Sequence, residues 1–212
     1  MKIYRYFLLA LGIIILDQAV KLLVHYNMEL NTEIDVLGDW FKLHYLLNPG
    51  MAFGLKSSHE YGKLLLTLFR LVAMFGIGYY IYYLYKNKAK PGLLWCMGLI
   101  LGGAIGNVID STFYGVFLEN APIGSPTPWF HGQVIDMLFF PLFDGYYPDW
   151  VPFMGGRYFL FFSPVFNVAD SSIFIGVVTI LIFQKRFFKN KEETETIVES
   201  EKQELEKSEE LV

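Results

Sequence analysis

Four apolar blocks, each about as long as a bilayer is thick, decide what this chain can become. A helix crossing the hydrocarbon core needs roughly 20 predominantly apolar residues. Segments 4–24, 63–85, 91–110 and 167–188 meet that need. The third opens on Pro91, a residue suited to a helical first turn. The first begins with Lys2 and Arg5 and runs into Leu16-Asp17-Gln18 without a small-x-small cleavage site. It reads as a retained helix that also targets the chain, not as a removed signal peptide. The fold class expected is a mainly α membrane protein of four transmembrane helices.

The basic residues set the orientation. Lys2 and Arg5 precede the first block, Lys86, Lys88 and Lys90 fill the short loop after the second, and Lys185, Arg186, Lys189 and Lys191 follow the fourth. Between the third and fourth blocks the only basic side chain is Arg157. The positive-inside rule puts both termini and the short loop in the cytoplasm. Two longer loops, 25–62 and 111–166, then face outward. In the first, Ile34–Leu37 and Trp40–Tyr45 flank Gly38-Asp39, the pattern of a hairpin around a two-residue turn. The second is rich in aromatics, among them Phe139, Phe143, Tyr146, Trp150 and Phe159. Such residues suit a lobe lying at the bilayer interface, or the ordinary packing of a small extracytoplasmic lobe.

The net charge of −4 comes from the acidic tail that starts at Lys191. Without it the body is slightly basic, so no charged partner, nucleic acid included, follows from the total. The expected organisation is one integral membrane domain, 1–190, and a cytoplasmic tail, 191–212, that is disordered or a fraying helix. Cys96 is the only cysteine, which excludes an internal disulfide, and its apolar setting makes it a small buried hydrophobe.

Polar groups inside membrane helices are expensive and usually functional. Here they gather at one depth. Asp17 and Lys21 lie in the outer part of the first block, Asn107 and Asp110 at the outer end of the third, Asn167 and Asp170 at the outer start of the fourth. Arg70 lies about two turns in from the outer start of the second. Asp17 and Lys21 are four apart and share a helix face, either as an ion pair that positions the first helix or as part of the site. Asn107/Asp110 and Asn167/Asp170 are three apart and also share faces. Gly98, Gly102, Gly103 and Gly106 give the third helix a narrow face for close packing.

Metal and nucleophile chemistries find little support. HExxH and Gly-x-Ser-x-Gly are absent, and His25, His44, His59 and His131 stand outside the apolar blocks without metal-ligand spacing. Ser171 and Ser172 lack an obvious base, and a Ser–Lys arrangement with Lys21 ranks below carboxylate chemistry. Two close carboxylates in a partly dry site share one proton, so one can activate water while the other hydrogen-bonds a peptide carbonyl. Asp170 opens the fourth block and Asp136 follows Val134-Ile135. From its own neighbours Asp136 reads as an exposed loop aspartate.

Five segments in order resemble the lipoprotein signal peptidase (signal peptidase II) family from Tyr4 to about Phe188. They are Leu16-Asp17-Gln18-Ala19-Val20-Lys21, Asn48-Pro49-Gly50-Met51-Ala52-Phe53-Gly54, Gly102-Gly103-Ala104-Ile105-Gly106-Asn107-Val108-Ile109-Asp110, Val134-Ile135-Asp136, and Phe166-Asn167-Val168-Ala169-Asp170-Ser171. The resemblance implies an aspartic endopeptidase of the bacterial cytoplasmic membrane, acting near the outer leaflet. It implies removal of the signal peptide from diacylglyceryl-modified prolipoproteins just before the lipidated cysteine, with membrane lipid around it. It implies no metal and no cofactor, and the chain is expected to be a monomer. Asp136 and Asp170 would be the catalytic pair. Asn48, Gly50, Gly103, Asn107, Asp110, Asn167 and Ala169 would shape the site, and Asp17 and Lys21 would order the first helix. The first outer loop would form a small sheet that cradles substrate with Phe53 at its mouth, and a segment between the third and fourth helices would act as a lid.

Two departures stand out. Many members carry arginine directly after the aspartate of the third-helix segment, where this chain has Ser111; Arg70 is the candidate substitute charge, which Arg70→Leu tests. Segments 118–131 and 143–159 resemble insertions around Asp136 and make Asp144 and Asp149 its competitors. The rival functions are a transporter, which would place carboxylates near the midplane, and a catalytically silent lipid- or lipoprotein-binding membrane protein.

Overall fold

The first apolar block becomes helix α1, Tyr4–Asn27, and the second becomes α2, Gly62–Lys86, in the computed structural model. The structure describes residues 2–50, 61–161 and 163–188. The third block forms α3, Pro91–Ile109, which runs on through a π-helical turn, Asp110–Tyr114, into the short α4, Gly115–Phe117. Among the described residues, three helical stretches are long and apolar enough to cross a membrane: α1, α2 and Pro91–Phe117. The fourth block is shorter than the hydropathy suggests. Helix α5, Val168–Ile182, has 15 residues, and Phe183 separates it from the short α6, Gln184–Phe188. His25, expected between elements, belongs to the last turn of α1.

Helix α3 is the hub, packing on α1, α2 and α5. Its glycines explain how. A methyl group on Gly98 or Gly102 would stand 2.9 Å from the Tyr6 or Ala10 carbonyl oxygen of α1. One on Gly103 would collide with the Ala169 carbonyl and the Ser172 hydroxyl of α5. Bare backbone on two sides of α3 thus lets two helices approach closely. At the end of the bundle where α1 starts, Tyr6, Ala10, Ile81, Leu84, Leu93 and Met97 form a core. At the other end Val24, Tyr45, Tyr114, Ile135 and Met137 form a second core, where helix ends meet the sheet.

That sheet contains the expected hairpin and extends it. Strands β1 (Glu33–Leu37) and β2 (Phe41–Asn48) pair antiparallel, joined by three residues instead of two, with Gly38 at φ +52. Strands β3 (Val134–Phe139) and β6 (Val165–Phe166) complete the order β1-β2-β3-β6. Asp136 therefore lies within a strand and is 2% exposed, which corrects its reading as an exposed loop residue. Between Leu43↔Leu138 and Leu46↔Asp136, β2 uses three residues where β3 uses two. This bulge changes which β2 side chains share a face with Asp136. With it, Leu46 and Asn48 do; an unbroken register would put Tyr45 and Leu47 there.

The two long stretches flanking Asp136 have order of their own. Residues 118–131 are closed at the neck by Asn120 and Gln133, which exchange three hydrogen bonds of 2.8–3.0 Å. Strands β4 (Phe143–Tyr146) and β5 (Tyr158–Phe161) form a separate two-stranded ribbon. Trp150 and Phe153, between these strands, are largely exposed.

Candidate active site

The polar side chains of the helix ends meet in one buried cluster. Lys21 Nζ lies 2.8 Å from Asp17 Oδ2 and 2.7 Å from Asp110 Oδ2, and all three residues are 0% exposed. Charges so far from water persist only when paired and hydrogen-bonded. Gln18 completes the set, donating to Asp17 (3.1 Å), to Asp110 (2.9 Å) and to the Gly106 carbonyl (3.2 Å) while accepting from the Tyr114 hydroxyl. Space for this comes from Gly106, where a Cβ would stand 2.6 Å from Asp17 Oδ2.

The cluster reaches out to two backbone amides. Ala169 N donates to Asp17 Oδ1 at 2.8 Å, and Ile135 N donates to Asp110 Oδ2 at 3.3 Å. Each is the residue immediately before one of the two candidate aspartates. Lys21 also donates to Asn107 Oδ1 at 3.1 Å, extending the cluster toward Asp170.

Asp136 and Asp170 are held differently, by amides instead of cations. Asn48 Nδ2 donates to Asp136 Oδ2 (2.9 Å), and Asn167 Nδ2 donates to Asp136 Oδ1 (2.7 Å). Asn107 Nδ2 donates to Asp170 Oδ1 (2.7 Å). Asn167 caps α5, its Oδ1 accepting from Asp170 N at 2.8 Å, so one asparagine fixes the backbone of one aspartate and the carboxylate of the other. Asn107 and Asn167 are themselves linked, at 3.3 Å. The carboxyl of Asp136 is pushed up to about 7 by burial first and then by the negative charge of Asp170; Asn48, Asn167 and Lys21 pull the other way. Asp136 is buried while Asp170 is half-buried, so the pair has a closed side and an open side.

The other expected residues divide clearly. Gly50, at φ +87, follows β2 and donates its N–H to Asn48 Oδ1 at 2.8 Å, which orients the amide that grips Asp136. Gly103 and Ala169 are packing partners between α3 and α5. Phe53 lies outside the described residues. The competing Asp149 is exposed in the turn beyond β4, and Asp144 lies within β4. Arg70 Nη1 donates to Ser111 Oγ at 3.0 Å, so these two positions are in direct contact.

Sequence reasoning passed over Gln18, Tyr114 and Thr67. Gln18 carried a usable signal, an amide beside Asp17 inside an apolar run. Thr67 bridges α2 to the Phe130 carbonyl at 2.8 Å, a contact across 63 residues that no local pattern announces.

The chain is similar to known proteins along most of its length. The profile of the signal peptidase (SPase) II family matches residues 9–186. A lipoprotein signal peptidase of Amoebophilus asiaticus is 49% identical over 184 residues, covering 85% of this chain and 78% of that protein. One of Porphyromonas gingivalis is 43% identical over 187 residues, covering 82% and 80%. A bacterial membrane enzyme solved at 2.3 Å shares the fold with a TM-score of 0.58 at 22% identity, over 88% of this chain and 92% of that one. With five sequence segments converging on one buried polar site and this extent of identity, the chain belongs to the signal peptidase II family.

Proposed function

We infer that this chain is a lipoprotein signal peptidase, an aspartic endopeptidase that removes the signal peptide from diacylglyceryl-modified prolipoproteins before the lipidated cysteine. The observation that carries the reading is the pairing of Asp136 and Asp170 through the amides of Asn107 and Asn167, with Asp136 raised to about 7 by burial and by its partner's charge. Such a pair keeps one proton between its members and titrates as a unit.

The chemistry follows from that proton. The ionised carboxylate takes a proton from a water molecule, whose oxygen attacks the scissile carbonyl carbon. The protonated carboxyl donates to the carbonyl oxygen as it gains charge. Collapse of the tetrahedral species breaks the C–N bond, and a carboxyl delivers a proton to the leaving amine of the cysteine. No covalent enzyme intermediate forms. Asn48, Asn107 and Asn167 hold the carboxyls in place, while the Asp17–Lys21–Asp110 cluster fixes the backbone just before each.

Four spans fit this reading, with α5 and α6 together forming the last, both termini cytoplasmic and the site near the outer leaflet. The ribbon β4–β5 would serve as the lid. The enzyme works as a monomer among membrane lipids and needs no metal or cofactor.

The test uses purified protein in detergent with a diacylglyceryl-modified prolipoprotein and a mass or gel-shift readout. Wild type should release the signal peptide, and folded Asp136→Asn and Asp170→Asn should release none. Cleavage by Asp136→Asn would remove that residue from the pair. A folded wild type that cleaves nothing would end the peptidase reading.

A further inference from the structure

Helix α2 contributes no carboxylate or asparagine to the site, yet it turns Lys63, Thr67 and Arg70 toward it at helical spacing. Thr67 already fastens the helix to the Phe130 carbonyl. Among the described residues Arg70 makes one hydrogen bond, to the neutral hydroxyl of Ser111 at 3.0 Å, and no ion pair includes it. A guanidinium has five N–H donors in a planar fork. A guanidinium in a membrane helix is costly, and a neutral side chain would serve as well for the bond to the Ser111 hydroxyl.

Its seat explains the choice better. A Cβ on Gly50 would stand 3.1 and 3.2 Å from the two terminal nitrogens of Arg70, so the fork lies directly on the turn after β2. That turn bonds to Asn48, and Asn48 bonds to Asp136. The carboxylates acting on the guanidinium are Asp170, Asp110 and Asp136. Ser111 is fully buried and Arg70 half-buried, so the fork is anchored inside while the side chain, like that of Asp170, stays partly accessible.

We propose that Arg70 is a substrate-binding residue whose guanidinium, anchored on Ser111 and seated on Gly50, donates to backbone carbonyl oxygens of the signal peptide beside the scissile bond. This rests on the peptidase reading. A neutral carbonyl is the fitting acceptor, because a phosphate or carboxylate there would face the negative charge of the aspartate pair. The planar fork suits carbonyl oxygens presented side by side.

The experiment measures KM and kcat for wild type, Arg70→Leu, Arg70→Lys and the exchange variant Arg70→Ser with Ser111→Arg, on the lipidated prolipoprotein, with thermal unfolding alongside. Loss of hydrogen bonds from a charged donor should raise KM about ten- to a hundredfold in Arg70→Leu. The change in kcat should be under about threefold, because the bonds are made before and during reaction alike. Arg70→Lys should recover part of the loss. The exchange variant, which returns a guanidinium across the same hydrogen bond, should recover most of it. Two results overturn the proposal: Arg70→Leu with unchanged KM, or a loss that tracks a lowered melting temperature and is restored by neither companion variant. Wild-type cleavage is read in the same assay, so failure of the peptidase reading shows separately.

Discussion

The site holds two sets of carboxylates, and they are treated in opposite ways. Asp17 and Asp110 surround the ammonium of Lys21, are closed to solvent, and spend their oxygens on Lys21, Gln18 and the backbone amides of Ala169 and Ile135. Asp136 and Asp170 stand one residue further along those same two segments and receive asparagine amides instead. A neighbouring cation pairs with a carboxylate and makes it a dependable acceptor for structure. An amide holds the group in place and leaves its proton free to move. On the proposed function, the same side chain becomes scaffold or reagent according to the charge of its donors.

Exchanging carboxylate for amide separates the sets most sharply. Asp136→Asn should cut turnover by about a thousandfold or more and leave the melting temperature in detergent close to that of wild type. Lys21→Met should act first on stability. Breaking a buried ion pair costs about 3–5 kcal/mol, so this variant should unfold at much lower temperature or fail to accumulate. A stable, folded Lys21→Met would erase the distinction.

The pH profile comes next. Asp136 keeps its proton up to about pH 7 in the fold, whereas an unfolded aspartate releases it near about 4. Activity should therefore fall as pH rises through about 7, when the pair loses its shared proton. Between these values the fold binds more protons than the unfolded chain, so stability should also decline with rising pH. A cleavage rate flat from pH 6 to about 8.5 would contradict the shared-proton reading.

Asn48→Ala should have a smaller effect, about three- to tenfold in rate. Because the Asn48 amide lowers the Asp136 value, its removal should carry the alkaline limb to higher pH; a shift the other way would count against the contact. The smallest effect belongs to the charges of the hairpin. Lys42→Ala, which loses the 3.1 Å pair with Asp35, should leave both rate and melting temperature unchanged.

Much of the bundle was legible because lipid imposes a length and a composition. Apolar blocks located α1, α2 and α3 to within a few residues, and four-residue spacing announced the contact between Asp17 and Lys21. The end of the fourth block was not legible, since hydropathy continues across Phe183 while the helix does not. The β1–β2 hairpin could be seen from turn chemistry and alternation. Strand β3 could not, because its partner lies about ninety residues away in register at Leu46 and Asn48 and local sequence carries no trace of that pairing. The ribbon β4–β5 escaped for another reason: its strands are close in sequence but joined by a long connection, 147–157, without the two-residue turn signal of a hairpin. At the site, residue types were readable and their partners were not. Nothing local says that Asp17 holds Ala169 or that Asp110 holds Ile135.

The bulge in β2 has a consequence for how this protein tolerates change in chain length. The turn at Gly38 and the stretches on either side of Asp136 can gain or lose residues without altering what faces the carboxyl. The run from Leu46 to Asn48 cannot. Removing one residue at the bulge would only straighten β2 and keep Leu46 opposite Asp136, whereas removing Leu47 would set Asn48 opposite Ile135 and turn it to the far side of the sheet, away from the carboxyl. In a region where neighbouring loops are free to vary, this short run beyond the bulge acts as a counting device.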